Sequence, residues 1–509
     1  MPDVIVVGGG PAGLLLAGEL RLAGADPLIL EANDEVTRRQ RSLGLRGINT
    51  RTVQTLRLRG LVDELAHAQW AMLERFAAEH APAAADRSAG LARVLAENRA
   101  RGHFSGLTLT DDDPAPRGTV TNLVLKQHEL ERILADWAVG LGVRIRTGCE
   151  VVDVVAEEEA VRAVLADGEQ VRAAYLVGCD GGRSTVRKRA GFRFPGTDAT
   201  MTGRSAVAEL ADPDAVASAM HGRGGLLDRA LVPGEISTVE FDGGPADRDA
   251  PVTAAEMQAS IRRVSGVAAT VTKLDVGIRF SDNTRQADTY RRGRVLVAGD
   301  AAHVHSPIGG QGLNLGLQDA TNLGWKLGLV VRGLAPDSLL DSYTAERHPV
   351  GARVLRNTRA QVALMRPGPQ VAALREVMAE TLAIPAAKRH FIDLANGTDI
   401  DYAPAAAHPA IGRFVPPLTL PDNELLRDGT AVLVDLVGSS RIRAIANGHT
   451  DRVRVVRAQH SSRSDLTALL VRPDGYVAWA ASDNGTAGLP EALTDWFGRS
   501  TSLRSPSRG

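Results

Sequence analysis

The chain has 509 residues, with 59 Lys and Arg against 60 Asp and Glu and only 4% aromatic residues. That length exceeds a single core and sets an expectation of about three domains, the charge balance removes any electrostatic case for nucleic acid or an anionic membrane surface, and no apolar run approaches the roughly 18 residues of a membrane span. Met1 leads straight into a strand pattern, leaving no room for a signal peptide, and Cys149 and Cys179 lack CxxC or metal spacing, so buried inert thiols and a cytoplasmic location are expected.

Val4 to Val7 is an apolar β-branched run that stops at Gly8-Gly9-Gly10, and a helical pattern from Pro11 to Leu22 follows at once. The order is strand, tight turn, helix. In such a unit Gly8 permits the turn, Gly10 lets a pyrophosphate approach the backbone and Gly13 lets the helix lie close to the strand, while the amide-rich helix start at Pro11 and Ala12 favours phosphate charge. Glu31 closes the apolar run Pro27 to Leu30 at about the spacing of a ribose acceptor. A carboxylate there welcomes a 2′-hydroxyl and repels a 2′-phosphate, which points to FAD or NAD rather than NADP. The glycines alone would fit a structural turn; strand, helix and acid together read as dinucleotide binding.

From Arg38 to Leu61 the segment is basic, with Arg38, Arg39, Arg41, Arg46, Arg51, Arg57 and Arg59 lying before and along a helix predicted from Thr50. Most of these are expected to be solvated, and Arg41 lies close enough after Glu31 to reach a cofactor's phosphates. Ala66 to Arg101 reads as helix broken near Pro82, a peripheral insertion without a chemical motif. Gln127 opens the helix Glu129 to Leu141 after the strand-like Val120 to Leu125. Strands Val143 to Arg146, Val151 to Val155, Val161 to Leu165 and Ala174 to Cys179 follow, with the hairpin signal Asp167-Gly168 between the third and fourth. At Gly178-Cys179-Asp180-Gly181-Gly182-Arg183 an apolar strand again ends in small residues before a helix, now with Asp180, Arg183 and Arg187 at the turn. Acid-glycine turns with basic neighbours also occur in plain loops.

Phe192 to Tyr290 reads as β-rich, with turns at Pro195-Gly196, Asp242-Gly243-Gly244 and Asp282-Asn283 and a helix near Thr253 to Val264, and it carries no metal spacing, nucleophile motif or second GxGxxG. A buried strand then ends at Gly299-Asp300, a glycine loop runs from Pro307 to Gly312, and a long apolar-faced helix extends from Leu313 to about Val330. Asp300 is placed to accept hydroxyls from a polyol chain. The glycine loop sets backbone N–H groups at a helix N-terminus, where they stabilise an anion such as a reduced flavin. His303 and His305 invite a metal, but no Cys or acidic partner completes a site and none is predicted. Helices Leu339 to Met365, Gln370 to Leu382 and Ala386 to Asn396 follow, the first kinked at Glu346-Arg347-His348-Pro349. Pro409, Pro416, Pro417 and Pro421 mark a linker into a small α/β unit of strands Ala431 to Leu436, Val453 to Val456, Thr467 to Val471 and Tyr476 to Ala481 and a helix near Glu491 to Phe497, with a polar tail from Ser500.

Three separated strings, GGGPAGLLLAGELRLAG with Glu31, YLVGCDGGRSTVRK, and TRQADTYRRGRVLVAGDAAHVHSPIGGQGLNLGLQDATNLGWKLG, together with TALLVRPDGYVAWAA near the C-terminus, resemble the class A flavoprotein monooxygenases of the p-hydroxybenzoate hydroxylase fold group. Within it the chain is most similar to the aromatic polyketide hydroxylases of actinomycete antibiotic pathways, the angucycline type above all. The resemblance implies an α/β fold class: a Rossmann-like FAD-binding domain, a β-sheet substrate domain and a C-terminal thioredoxin-like α/β domain. The implied division is residues 1–190 (with the insertion 66–101) and 291–400 for the FAD-binding domain, 191–290 for the substrate domain and 401–509 for the C-terminal one.

The resemblance also implies roles. Gly8, Gly10, Pro11, Ala12 and Gly13 would hold the FAD pyrophosphate, Glu31 the adenosine ribose, and Arg41 and Gln127 the phosphate and ribityl side. Asp180 and Arg183 match a motif tied to both FAD and NAD(P)H, Asp300 matches the aspartate on the ribityl chain, and Pro307, Gly309, Gly310, Gly312, Leu313 and Asn314 would line the flavin's reactive edge. No side-chain nucleophile is required. NADPH or NADH would dock transiently, and O2 would form a flavin C4a-hydroperoxide that hydroxylates a polycyclic aromatic small molecule. Baeyer–Villiger insertion or oxidative inactivation of a ring-containing antibiotic would use the same oxidant, and a non-catalytic flavin-binding scaffold is the reading outside enzymology. No nucleic-acid or membrane partner is implied, and the chain would be a monomer or homodimer. The thioredoxin-like unit lacks CxxC, so a disulfide role is not supported. Two departures stand out: Ala66 to Arg101 is long and precedes His103-Phe104-Ser105-Gly106, which resembles the strand lining the substrate cavity, and Arg46-Gly47-Ile48 looks like extra length beside the flavin.

Overall fold

The computed structural model describes residues 1–34, 37, 43–79, 100–112, 119–216, 219–222, 224–229, 232, 234–248, 250–416, 426–458, 466–483 and 485–500. Its centre is a six-stranded sheet in the order Arg291–Arg292, Val295–Val297, Tyr175–Gly178, Val4–Val7, Pro27–Leu30, Arg144–Arg146. All pairs are parallel except the first. The three middle strands are apolar runs buried on both faces, as a covered parallel sheet demands. Helix Pro11–Leu22 lies against the long helix Gly312–Val331. Gly324 and Gly328 allow that approach, since a Cβ on them would meet Glu19 Cβ at 2.4 Å and Ala23 Cβ at 2.3 Å.

A second, antiparallel sheet runs Ala219–Gly222, Gly225–Asp228, Glu235–Glu240, Thr202–Leu210, Val271–Ser281. The alternation of side chains splits its faces. Ala206 and Ala208 pack under helix Ala254–Ser265 with Met257, Ile261 and Val264, while Ser205, Ile278 and Phe280 face the cleft toward the first sheet. The C-terminal sheet runs Val453–Arg457, Ala431–Asp435, Ala468–Val471, Val477–Ala481, its first pair parallel and the others antiparallel. That order, with helices Ser440–Ala446 and Leu489–Phe497, is the thioredoxin-like arrangement. Phe497 and Leu493 share a core with Trp325 and Leu329 of the long helix. No helix among the described residues is long and apolar enough to cross a membrane.

Several expectations are corrected. The Asp167-Gly168 turn joins Val161–Leu165 to a strand Gln170–Ala173, and Tyr175–Gly178 is a separate strand of the central sheet. The chain changes partners at Ala174, between the alternately exposed strand Gln170–Ala173 and the buried run Tyr175–Gly178. Helix Ser440–Ala446 adds an element that the sequence pattern does not show. Of the segment's arginines among the described residues, Arg57 is exposed and Arg46 half-buried, but Arg51 and Arg59 are not solvated. Arg59 is buried, its Nε donating to Glu19 Oε1 at 2.7 Å and its other nitrogens to the carbonyls of Leu426 (2.6 Å) and Pro473 (2.8 Å). Arg51 is buried too, donating to Gly397 O at 3.2 Å and lying 4.3 Å over the Phe414 ring. Arg51 and Arg59 are thus turned toward the C-terminal part of the chain. Helix Val62–Glu79 covers the start of the insertion; the break near Pro82, like Arg41, Pro417, Pro421 and the tail after Ser500, lies outside the described residues.

Candidate active site

Val7, Gly178 and Val297 are register partners across the three middle strands, so the turns after them open side by side at the carboxyl edge of the sheet, where parallel α/β sheets bind ligands. Gly8 has φ +106°, and a Cβ on it would lie 2.4 Å from Cys179 O; one on Gly13 would lie 2.0 Å from Gly8 O. Both glycines are needed for packing. At Gly10 nothing lies within 4 Å of a Cβ position, and the helix that starts there has no side-chain cap. The result is a row of backbone N–H groups facing an empty cradle. The buried Glu31 carboxylate stands at the rim, accepting from Gly9 N at 2.6 Å and Asn33 N at 2.8 Å.

From this cradle a cavity of about 520 Å³ runs past Gln127, Arg46, Gly299 and Asp300 to Pro307, Gly310, Gly312 and Leu313, and its far wall is Ser205, Ile278 and Phe280 of the antiparallel sheet with Leu43 and Leu45. Asp300 is exposed to it, on the turn Gly299–Ala301. Gly299 N donates to Asp319 Oδ2 at 3.2 Å, which also meets His303 Nε2 at 2.7 Å, and Arg347 Nε donates to Asp319 Oδ1 at 2.8 Å. Burial works against the Asp319 carboxylate, but Arg347 and His303 outweigh it and hold its carboxyl below the usual range. His303 Nε2 is therefore committed to Asp319 inside the protein. His305 does border the cavity. Its Nδ1 lies 2.7 Å from Ser306 O, its Nε2 has no partner among the described residues, and burial lowers its pKa, favouring the neutral ring.

The glycine loop is shaped by its neighbours. A Cβ on Gly309 (φ +92°) would lie 2.6 Å from Gln361 Nε2. Asn314 does not border the cavity; its Nδ2 donates to Gly47 O (2.8 Å) and Gly310 O (3.0 Å) and its Oδ1 accepts from Asn49 N (2.9 Å), clamping two walls together. Asp180 also sits behind the wall that Cys179 and Gly181 form. Its Oδ2 accepts from Val186 N at 3.0 Å, its Oδ1 is buried without a partner among the described residues, and burial pushes its carboxyl up. Arg183 is exposed and not on the cavity wall.

Two residues take on parts the sequence did not assign. Arg187 is buried, donating to Ala301 O (3.1 Å) and Gly182 O (3.0 Å) and lying 3.7 Å from the Phe194 ring centre; it staples the Asp180 turn to the Asp300 turn. Arg46 lies in strand Leu45–Ile48, paired with Leu123–Lys126. Its Nε donates to Gln127 Oε1 at 3.0 Å, and Gln127 Nε2 to Glu131 Oε1 at 2.8 Å. Burial draws its guanidinium down, against the pull of Glu235 and Asp300. The one hint in the sequence was an arginine at the centre of a short strand pattern. Conversely, the hairpin holding His103 to Gly106 is not part of the cavity wall; Phe104 packs with Leu364, Leu382 and Ile392.

The sequence matches the FAD binding domain family over residues 1–358 and the aromatic-ring hydroxylase C-terminal family over residues 408–500. It is 40% identical to a 12-dehydrotetracycline 5-monooxygenase/anhydrotetracycline 6-monooxygenase of Streptomyces rimosus subsp. rimosus, over 97% of this chain and 99% of that protein. It is also 40% identical to the rifampicin monooxygenase of Streptomyces venezuelae, over 98% and 100%. Among solved structures it is similar to CabE, an aromatic hydroxylase from angucycline biosynthesis, with a TM-score of 0.83 at 35% identity over 98% of this chain and 99% of that one. A nucleotide cradle that opens into a sheet-walled cavity, in a sequence that follows these enzymes from end to end, places the chain in the family of FAD-dependent aromatic monooxygenases.

Proposed function

We propose that the chain hydroxylates a polycyclic aromatic polyketide, with FAD as resident cofactor, NADPH or NADH as transient reductant and O2 as the oxygen source. The observation that carries this reading is the continuity of one cavity from the Gly10 cradle to the Ser205, Ile278 and Phe280 wall. Gly10, Pro11 and Ala12 line its pyrophosphate end, Gly8 and Gly13 shape the turn from behind, Glu31 beside Gly9 accepts the ribose, Gln127 and Arg46 flank the ribityl side, and Asp300 accepts ribityl hydroxyls. The open Gly10 cradle fits such a group. Asp180 orders the turn between cofactor and protein, and Arg183 at the surface is the candidate contact for the nicotinamide nucleotide. The flavin-binding part comprises residues 1–190 and 291–400, the substrate part 191–290 and the appended domain 401–509.

Bound FAD supplies the redox chemistry by which a nicotinamide's electrons and dioxygen deliver one oxygen atom to an electron-rich ring. The protein supplies the surroundings. The N–H groups at the start of helix Gly312–Val331 favour negative charge at the flavin's pyrimidine end. Pro307 and the glycines keep side chains out of the space beside it. Phe280 and Ile278 offer an apolar face to a flat ring and exclude water, and Ser205 offers a single hydroxyl. Oxidative inactivation of a ring-containing antibiotic is the second reading, favoured by the equal 40% identity to the rifampicin enzyme.

The test is consumption of NADPH by the flavin-loaded protein across a panel of polycyclic quinones and phenols. A stimulated rate and a product heavier by one oxygen, borne as a ring hydroxyl, is the expected result. A ring-expanded lactone would make the reaction a Baeyer–Villiger insertion, and flavin binding without any stimulated turnover would leave the scaffold reading in its place.

A further inference from the structure

Among the polar assemblies that the cavity does not account for is a buried row of charges running from the C-terminal domain to the Gly299 turn. Arg472 follows strand Ala468–Val471 and is 2% exposed. It grips Glu346 of helix Asp341–Leu364 with both terminal nitrogens, at 2.6 Å and 2.9 Å, and Asp474 through Nε at 3.0 Å. Lys326 Nζ and Asn322 Nδ2 of the long helix reach the same Glu346 Oε2 at 2.8 Å and 2.6 Å. The next residue, Arg347, is fully buried on a different side of its helix. It donates to Asp319 at 2.8 Å, to Leu315 O at 3.1 Å and to the Tyr402 hydroxyl at 2.9 Å. Tyr402 in turn stacks on Tyr476 with ring centres 4.3 Å apart. Asp319 then holds Gly299 N and His303.

We infer that the C-terminal domain positions the flavin site, with Arg472 and Tyr402 acting through Glu346, Arg347 and Asp319 on the Gly299–Asp300 turn. This rests on the reading that the turn meets the ribityl chain of FAD. The physics is that of paired buried charges. Each carboxylate in the row takes its arginine as a charged partner, and interior ion pairs tolerate little displacement because water cannot replace a lost partner. Adjacent residues on one helix point about 100° apart, so Glu346 gripped from one side and Arg347 from another fix the helix in rotation as well as in height. The domain without CxxC thus acts mechanically, setting the register of a helix whose arginine sets the turn.

Arg472 and Tyr402 are positioning residues, so the test reads the cofactor rather than turnover. Apoprotein is titrated with FAD, following flavin fluorescence and the visible circular dichroism of the bound flavin, for wild type, Arg472→Met, Tyr402→Phe, Asp300→Ala and Leu493→Ala. Leu493 lies in the same domain's apolar core and reports plain destabilisation. Arg472→Met is expected to weaken FAD by about tenfold beyond Leu493→Ala compared at equal apoprotein stability, with a changed dichroic signal. Tyr402→Phe, which removes one hydroxyl acceptor, is expected to weaken it by about threefold to fivefold, likewise compared with Leu493→Ala at equal apoprotein stability, and it decides the matter should Arg472→Met not fold. Wild-type affinity in Tyr402→Phe, or an Arg472→Met loss no larger than that of Leu493→Ala, would overturn the inference while a weakened Asp300→Ala leaves the reading of the turn intact. Wild-type affinity in Asp300→Ala would overturn both.

Discussion

Gly10 and Gly13 stand three residues apart and answer to different constraints. A Cβ at position 13 collides with Gly8 O, whereas one at position 10 meets no protein atom. Gly13→Ala is therefore expected to lower the apoprotein's melting temperature by several degrees, as overpacking of about 1–3 kcal/mol does. Gly10→Ala is expected to leave it unchanged and to weaken FAD, because the methyl group occupies the pyrophosphate's place. Thermal melts of the two apoproteins beside FAD titrations separate the cases, and equal melting losses would show that the cradle is packing alone. Asp300→Ala is expected to lower flavin retention through gel filtration; unchanged occupancy would count against the ribityl contact. These residues were legible in the sequence because each sits in a short strand, turn and helix pattern that a local window shows. Arg46 and Arg187 were not, since what gives each its place is a strand or a turn more than 75 residues away: Arg46 is 81 residues from Gln127 and Arg187 is 114 from Ala301.

At the scale of elements, the antiparallel sheet shows how period-two alternation divides labour. Arg204 and Arg279 turn toward helix Ala254–Ser265, where Glu256 receives both at 2.7 Å and 2.6 Å, and the intervening Ser205, Ile278 and Phe280 line the cavity. Gly203 sits beneath the Phe280 ring, 2.0 Å from it if given a Cβ. Gly203→Ala is expected to displace that ring and weaken aromatic ligands in flavin-perturbation titrations, with FAD affinity intact; unaltered ligand binding would remove Phe280 from the substrate wall. The pair Arg59–Glu19, both 1% exposed in their side chains, joins helix Pro11–Leu22 to the C-terminal part of the chain. Arg59→Met is expected to cost about 3–5 kcal/mol by leaving Glu19, whose carboxyl burial already pushes up, without its partner, and Glu19→Leu with Arg59→Met to recover much of it. Urea unfolding of both variants measures this, and equal losses would mean that the carboxyl left behind is not the cause. Helices and strands here were largely legible from periodicity, but the burial of Arg51 and Arg59 was not, because their carbonyl partners lie 346 and 367 residues on.

For the whole molecule, the acid side of the stability profile follows from the buried row. Burial opposes the charge on Glu346 and on Asp319, yet Arg472 and Lys326 outweigh it at the first and Arg347 and His303 at the second, so both carboxyls are held below their ordinary values. A depressed carboxyl contributes stability above its unfolded pKa of about 4 and loses that contribution as pH falls further. Urea midpoints are accordingly expected to hold near neutrality and to drop below about pH 4, with a shallower drop in Arg472→Met, where Glu346 has lost its strongest partner. An identical slope in both proteins would mean that Glu346 does not govern the acid limb. The architecture was legible at this scale because three separated strand-and-turn patterns each carry their own local signal, and they open side by side at one sheet edge. The grip of the C-terminal domain on the flavin turn was not, since it runs through side chains that any sequence window reads as ordinary helix charges.

All of this depends on those turns converging on one flavin at the carboxyl edge of the central sheet. The direct measurement is the FAD bound per chain after the purified protein is stripped and reloaded. A single tightly held flavin is expected in the wild type, with a sharply reduced content in Gly10→Ala and Asp300→Ala. A colourless wild-type protein that takes up no flavin when supplied, or variants that retain it in full, would contradict that convergence.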